Sequence, residues 1–169
     1  MKTIYFIRHA KSDWSGDCSD FDRELSERGL KNATFMAERL KKYGVKPDII
    51  ISSPAMRALN TAKIIAKNLK MPKKLFKTDI NLYLTSPKTY LEIIHQIDDK
   101  HKVIFIIGHN PTITEICESL SGIGIGNIST CGIFCMEFDI EFFSDVSVNS
   151  GKKLFFDFPK KHRGALLDI

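Results

Sequence analysis

The sequence lacks a long apolar segment, because its most apolar runs, such as Thr3-Ile4-Tyr5-Phe6-Ile7, span about five residues. A helix needs about 20 apolar residues to span a membrane, and the core of a secretion signal needs about 7–15. We therefore predict a cytoplasmic protein that is not associated with a membrane.

The sequence also has few cysteines, and their positions do not match a metal-binding pattern with any pair of histidines. Cys131 and Cys135 are four residues apart on a predicted strand, so they should face the same side of it rather than form a local disulfide. We expect free thiols in a reducing compartment. We predict no metal site and no cofactor. The cysteines are Cys18, Cys117, Cys131 and Cys135.

Internal repeats, low-complexity tracts and linker-like segments are absent from the 169 residues. This length suits one domain with a sizeable core, so residues 1–169 are predicted to form a single domain. The net charge is +5, but the lysines are scattered, mostly as pairs at the ends of predicted elements. No nucleic-acid-binding motif accompanies them, so we predict no nucleic-acid partner. The sequence leaves the oligomeric state open.

Short apolar runs alternate with helical patterns along most of the chain, which predicts an α/β fold with a largely parallel sheet. The last two strands are predicted to pair as a hairpin across a polar turn near residue 150. In the first helix, Leu30 is assigned to the apolar face. Predicted strands cover 3–7, 48–53, 75–77, 103–107, 132–138 and 153–158, and predicted helices cover 25–43, 54–69, 87–97 and 112–120.

Two of the predicted strands end on a histidine. Arg8-His9 follows the first apolar run, and His109 follows the run at 103–107. Pro111 suits the first turn of the next helix, with Asn110 as its N-cap. Ligands of open α/β sheets bind beyond the carboxyl ends of the strands, so both histidines are candidates for a ligand site. Taken alone, Arg8-His9 is explained as well by a strand that ends on two solvated polar residues.

A third strand-to-helix junction adds a further cation. Ser52 or Ser53 is the predicted N-cap and Pro54 the first helical residue, which places Arg57 in the first turn of the helix. Backbone N–H groups and the helix dipole favour an anion at that position. An ordinary exposed helical arginine is the alternative.

Together, Arg8, His9, Arg57 and His109 resemble the histidine phosphatase superfamily, also called phosphoglycerate-mutase-like, over residues 2 to about 139. The resemblance rests on Arg8-His9, on Ser53-Pro54-Ala55-Met56-Arg57-Ala58 and on Gly108-His109-Asn110-Pro111. The stretches 8–12 (RHAKS) and 20–29 (DFDRELSERG) resemble the small SixA-type phosphohistidine phosphatases. The resemblance to this superfamily implies a three-layer α/β/α sandwich with a mostly parallel central sheet.

The resemblance implies a metal-independent phosphatase in which His9 attacks phosphorus and carries the phosphoryl group covalently. Arg8, Arg57 and His109 would hold the equatorial oxygens of the phosphoryl group, and a bound phosphate would raise the pKa of His109. To attack as a neutral ring, His9 must donate from its other nitrogen to a backbone carbonyl or a similar acceptor.

Two more phosphate-binding candidates follow from the SixA-type pattern. An arginine at the position of Arg23 reaches the phosphate pocket, although Glu24 stands where a proline is common. A salt bridge between Arg23 and a neighbouring acid is the alternative. Ser12 is the second candidate, with a turn-forming serine as its alternative.

The substrate is predicted from a missing carboxylate. The mutases and many acid phosphatases of this superfamily carry an acid that protonates the leaving oxygen. Residues 81–90 contain no carboxylate, and Glu92 is predicted on the solvated side of a helix. Phosphohistidine has a better leaving group, so we predict a phosphohistidine-bearing protein as the substrate, reached through an open site. A small-molecule phosphomonoester phosphatase, with Asp13 or Asp22 as the acid, is one alternative. A non-catalytic phosphate- or phosphoprotein-binding module is another.

Overall fold

The computed structural model describes residues 1–163 and confirms the alternation of strands and helices. The helices are α1 (Glu27–Lys42), α2 (Met56–Asn68), α3 (Pro87–His95) and α4 (Thr112–Ser121). The strands are β1 (Lys2–Arg8), β2 (Ile49–Ser52), β3 (Phe76–Thr78), β4 (Val103–Gly108), β5 (Ile133–Phe138) and β6 (Gly151–Asp157).

The six strands form one mixed sheet in the order β3-β2-β4-β1-β5-β6. β1, β2, β3 and β4 are mutually parallel, whereas β5 runs antiparallel to both β1 and β6. The predicted terminal hairpin is therefore present. Because β1 and β4 pair in register from Thr3 opposite Val103 to Arg8 opposite Gly108, His9 and His109 leave the sheet side by side.

Successive strand residues point to opposite faces of the sheet, and each face is covered by two helices. Tyr5 and Ile7 of β1 belong to the core that includes α1 and α2. Ile4 and Phe6 belong to the core that includes α3 and α4. The fold is thus the expected three-layer α/β/α sandwich with a mostly parallel sheet.

Several predicted details at the helix ends are wrong. α2 begins at Met56 and not at Pro54; its N-cap is Ala55, so neither serine caps it. Pro111, with no side-chain cap bond, occupies the N-cap of α4 in place of Asn110. Leu30 is 46% exposed, whereas Gly29 and Ala33 of the same helix are buried, so Leu30 lies at the edge of the buried face of α1.

No helix within residues 1–163 is long and apolar enough to cross a membrane. The four cysteines are free thiols: Cys117, Cys131 and Cys135 are buried and Cys18 is exposed. Cys131 and Cys135 lie in the same core cluster, as their spacing predicted.

Candidate active site

His9 lies immediately beyond the carboxyl end of β1 and is only 8% exposed. Its Nδ1 is 2.7 Å from the backbone oxygen of Ala10. A carbonyl oxygen only accepts, so Nδ1 carries the proton and Nε2 keeps its lone pair. Burial, together with the nearby His109, Arg57 and Arg8, lowers the pKa of His9 to about 3, although the hydrogen bond to Ala10 acts in the opposite direction. The ring is therefore neutral at physiological pH, with the tautomer expected of a nucleophile.

A chain of hydrogen bonds fixes the backbone that holds His9. The Ala10 N–H donates to Thr61 Oγ1 at 3.0 Å, and the Thr61 hydroxyl donates to the backbone oxygen of Arg57 at 2.7 Å. The Cys131 N–H donates to the backbone oxygen of His9 at 3.0 Å. Thr61 is fully buried in α2 and was not predicted as a site residue, because a threonine inside a helix carries no pattern that marks this contact.

His109 lies beyond β4, with its ring centroid 5.1 Å from that of His9. Its Nε2 is 2.8 Å from Ser53 Oγ, which also accepts from the Ala55 N–H. When the Ser53 hydroxyl donates to Nε2, the proton of a neutral His109 lies on Nδ1, which has no hydrogen-bond partner among the described residues. Burial and the charge of Arg57 lower the pKa of His109 to about 4. Its Nδ1–H is available as a donor.

Gly108 allows a close contact behind His109. A Cβ atom at this position would overlap the hydroxyl of the fully buried Tyr90. That hydroxyl accepts a hydrogen bond from the His109 N–H at 3.3 Å. The glycine therefore permits Tyr90 to anchor the backbone at the carboxyl end of β4.

Arg57 and Arg23 converge on the carboxylate of Asp20. Arg57 Nη2 is 3.1 Å from one carboxylate oxygen and Arg23 Nη2 is 2.9 Å from the other. The Tyr83 hydroxyl donates to Asp20 at 2.5 Å. Hydrogen bonds from Tyr83, Arg23 and Arg57 hold the pKa of Asp20 well below its usual range. The sequence analysis did not predict Asp20 or Tyr83 as site residues, because no motif indicates that these side chains contact each other or the two arginines.

Arg23 lies at the site and also makes the local salt bridge named as its alternative. Its Nη1 donates to the hydroxyl of Ser12, and its guanidinium stacks 3.5 Å from the centre of the Trp14 ring. Its charge contributes to lowering the pKa of His109. Ser12 is buried, and its hydroxyl accepts this hydrogen bond from Arg23. Their roles as phosphate ligands remain a prediction.

Arg8 is the third arginine of the cluster. Its Nη1 donates to the backbone oxygen of Ile128 at 2.9 Å, and its buried Nε has no partner among the described residues. Its charge lowers the pKa of both His9 and His109. Arg8 thus lies within electrostatic reach of both rings.

The two carboxylates considered as alternative acids are engaged elsewhere. Asp13 is exposed and accepts hydrogen bonds from the N–H and hydroxyl of Ser15, which lower its pKa. Asp22 is exposed and accepts from the Ser19 hydroxyl. Glu92 is exposed on α3, as predicted. Asp20 is the carboxylate that contacts the arginine cluster.

A cavity of about 530 Å³ opens beside His109 and is lined by Arg57, Tyr83 and His109, among others. Within residues 1–163, no group of three His, Cys, Asp or Glu side chains could hold a metal ion. The charged and titratable groups that line the cavity include one cation, Arg57, one imidazole, His109, and one carboxylate, the exposed Glu115.

A three-layer sandwich with two histidines at the carboxyl ends of adjacent parallel strands is the architecture of the phosphoglycerate-mutase-like proteins. Residues 4–78 match the model of the histidine phosphatase superfamily (branch 1). Over these residues, which make up less than half of the chain and include Arg8, His9 and Arg57, the sequence is similar to that superfamily.

Two relatives illustrate the range of similar sequences. An uncharacterised protein of Mycobacterium tuberculosis is 28% identical over 117 residues, which cover 69% of this chain and 71% of that protein. The mitochondrial serine/threonine-protein phosphatase Pgam5 of Drosophila ananassae is 39% identical over 71 residues, which cover 42% of this chain and 24% of that protein.

Solved structures share the fold over nearly the whole chain. An Agrobacterium tumefaciens protein assigned as the phosphohistidine phosphatase SixA has a TM-score of 0.80 and 24% identity, covering 94% of this chain and 98% of that one. The protein histidine phosphatase SixA in complex with tungstate has a TM-score of 0.81 and 18% identity, with the same coverage. A mycobacterial glucosyl-3-phosphoglycerate phosphatase has a TM-score of 0.66 and 16% identity, again covering 94% and 98%.

Proposed function

We propose that this protein is a phosphatase that forms a covalent phosphohistidine intermediate on His9 and removes phosphate from phosphohistidine on a protein. The observation that carries the proposal is the hydrogen bond from His9 Nδ1 to the Ala10 carbonyl at 2.7 Å. It leaves Nε2 as an unprotonated nucleophile next to arginines that can hold a phosphoryl group.

The reaction has two displacements at phosphorus. In the first, His9 Nε2 forms a bond to phosphorus while the bond from phosphorus to the substrate nitrogen breaks, and the leaving imidazole keeps or takes up a proton. In the second, water forms a bond to phosphorus, His9 Nε2 leaves and inorganic phosphate is released. Arg8, Arg57 and His109 Nδ1–H supply the positive charge and donors for the equatorial oxygens. No step needs a metal ion, so metal independence is part of the proposal.

The state of Asp20 supports a phosphoramidate substrate over a phosphate ester. An alkoxide leaves poorly without an acid to protonate it, and such proton transfer contributes about 10²–10⁴-fold to the rate. Asp20 is the carboxylate at the arginine cluster, and hydrogen bonds from Tyr83 and Arg23 keep it ionised. An imidazole that leaves in its neutral or protonated form needs no such donor.

Two exposed apolar side chains at the rim support a protein as the substrate. Trp14, 76% exposed, stacks on Arg23, while Leu84, 82% exposed, follows Tyr83 directly in the chain. Both therefore flank the cluster around Asp20. Large apolar side chains beside an open site are suited to contact with a protein surface.

The test is the release of phosphate from a phosphohistidine-bearing protein by the wild type and by His9→Ala. Release that disappears in the variant, together with a trapped phosphohistidine at residue 9 in the wild type, supports the proposal. Turnover of small phosphate esters alone would move the function to a small-molecule phosphatase. Inactivity toward both would favour a phosphate-binding module.

The single domain over residues 1–169 and the reducing, cytoplasmic location belong to the same proposal. The free thiols of all four cysteines are compatible with that location. Residues 164–169 lie outside the described part of the chain.

A further inference from the structure

A second, smaller cavity of about 210 Å³ adjoins the site at Arg8. Its cationic lining comes from three separate parts of the chain: Arg8 and Lys11 around the end of β1, Arg28 in the first turn of α1, and Lys160 after β6. Among the described residues 1–163, no aspartate or glutamate lines it. Four positive charges thus face one small space.

These cations differ from Arg23 and Arg57 in having no acidic partner in the part of the chain that the structure describes. Arg23 and Arg57 are paired with Asp20. Within residues 1–163, no ion pair involves any of the four cations that line the smaller cavity. Their charges are therefore free to act on an anion that enters.

The position of Arg28 is unfavourable for its own helix. It is the second residue of α1, where the positive end of the helix dipole favours an acidic side chain. A cation at a helix N-terminus lowers helix stability slightly. No contact of Arg28 in the described structure offsets this cost. This is the pattern expected when a charge is retained for a ligand.

Unpartnered donors lie among the same residues. Arg8 Nε and Ser129 Oγ are buried and make no hydrogen bond among the described residues. Both residues line the cavity, and the side chain of Asn32, a further lining residue, is also largely buried. Buried donors without partners are costly, and an oxyanion would satisfy them.

We propose that this cavity binds a second anionic group of the substrate, a carboxylate or a phosphate, next to the phosphoryl group that is transferred. The inference rests on the proposed function, which places the transferred phosphoryl group on Arg8. Because Arg8 belongs to both sites, the two anionic groups of the substrate lie close together. On a protein, the second group is an acidic side chain near the phosphohistidine; on a small ester, it is the ester's own carboxylate.

The experiment compares two matched pairs of probes. The first pair is a phosphohistidine peptide with glutamates flanking the phosphohistidine and the same peptide with glutamines, compared by kcat/KM. The second pair is 3-phosphoglycerate and glycerol 3-phosphate, compared by calorimetric binding, which does not require turnover. The variant is Arg28→Glu and the control is Lys74→Glu, an exposed lysine near the amino end of β3.

We expect the wild type to prefer the acidic member of a pair by about tenfold, as one added charge-assisted contact would give. Arg28→Glu should abolish that preference, and Lys74→Glu should keep it. A glutamate in the first turn favours α1, so the loss cannot be attributed to unfolding of that helix.

The two pairs of probes distinguish an acidic side chain of a protein from the carboxylate of a small ester as the second anion. They also distinguish failure of the proposed function from failure of the anion site. A preference confined to the peptides identifies an acidic side chain, and one confined to the small esters identifies the substrate's own carboxylate. If neither peptide is hydrolysed but 3-phosphoglycerate is preferred in an Arg28-dependent way, the protein-substrate proposal fails and the anion site stands. The inference is overturned if the wild type shows no preference within either pair of probes. It is also overturned if Arg28→Glu keeps the preference of the wild type.

Discussion

Arg57 holds Asp20 at two points: Nη1 donates to its backbone oxygen at 2.7 Å and Nη2 to its carboxylate at 3.1 Å. Arg23 binds the other carboxylate oxygen. The carboxylate of Asp20 therefore occupies donor positions that a phosphoryl group would use under the proposed function. Binding of phosphate then requires these arginines to exchange one anion for another.

Replacing Asp20 with asparagine should strengthen phosphate binding. The amide keeps the shape of the side chain but removes the negative charge that competes for Arg23 and Arg57. We expect the inhibition constant of inorganic phosphate to fall several-fold, roughly up to tenfold, measured as product inhibition. Asp22→Asn is the control, since Asp22 is exposed and bonds to Ser19. Weaker phosphate binding in Asp20→Asn would show that the carboxylate assists binding instead.

Removing the hydroxyl of Ser53 should impair the donor on His109. Without a partner at Nε2, the His109 proton is no longer held on Nδ1, the atom assigned to the phosphoryl oxygens. We expect Ser53→Ala to lower kcat by roughly tenfold in steady-state assays, the effect of one lost hydrogen bond to a charged group. Ser52→Ala is a matched control, because the buried Ser52 hydroxyl donates to the Ser53 carbonyl. Equal activity in the two variants would contradict the role of the Ser53–His109 contact.

Thr61 is expected to matter through the backbone of Ala10. Thr61→Val keeps the shape of the side chain but leaves the Ala10 N–H without its acceptor and removes the hydroxyl hydrogen bond to the Arg57 carbonyl oxygen. The free energy of unfolding should fall by about 1–3 kcal/mol in urea titrations, and kcat should fall because the Ala10 carbonyl positions His9. Thr61→Ser retains the hydroxyl and should recover most of both losses. Failure of the serine to restore kcat would exclude the hydrogen bonds as the cause.

Stability should decrease as the pH falls below about 6.5. His9 and His109 have pKa values lowered to about 3 and about 4, whereas both are ordinary in the unfolded chain. At a pH between the folded and the unfolded pKa of a histidine, the unfolded state binds more protons than the folded state. Each of the two histidines can therefore lower the free energy of unfolding by up to about 1.4 kcal/mol per pH unit as the pH falls.

The pH dependence is checked by urea unfolding between pH 7 and pH 5 on the wild type and on His9→Gln. The free energy of unfolding should depend less steeply on pH in His9→Gln, by as much as the slope that the binding of one proton contributes. An identical slope in both proteins would mean that His9 does not carry a lowered pKa in the folded state.

Sequence patterns predicted the sheet, the helices and the placement of His9 and His109, since these follow from short apolar runs and the ends of parallel strands. They did not predict Asp20, which reaches Arg57 from an irregular segment where no periodicity constrains the side chains. Ser53 was assigned as a possible helix cap, but its hydroxyl bonds to His109 because α2 starts later. Contacts between segments distant in sequence were thus the part that local patterns could not supply.

The central place of β1 has a consequence for synthesis of the chain. Its sheet neighbours are β4 and β5, which begin at Val103 and Ile133. During synthesis β1 therefore acquires its sheet partners late, and its apolar residues stay unpaired while about a hundred residues follow. His9 meets His109 only when β4 pairs with β1, so chains whose synthesis has not passed β4 cannot assemble the site.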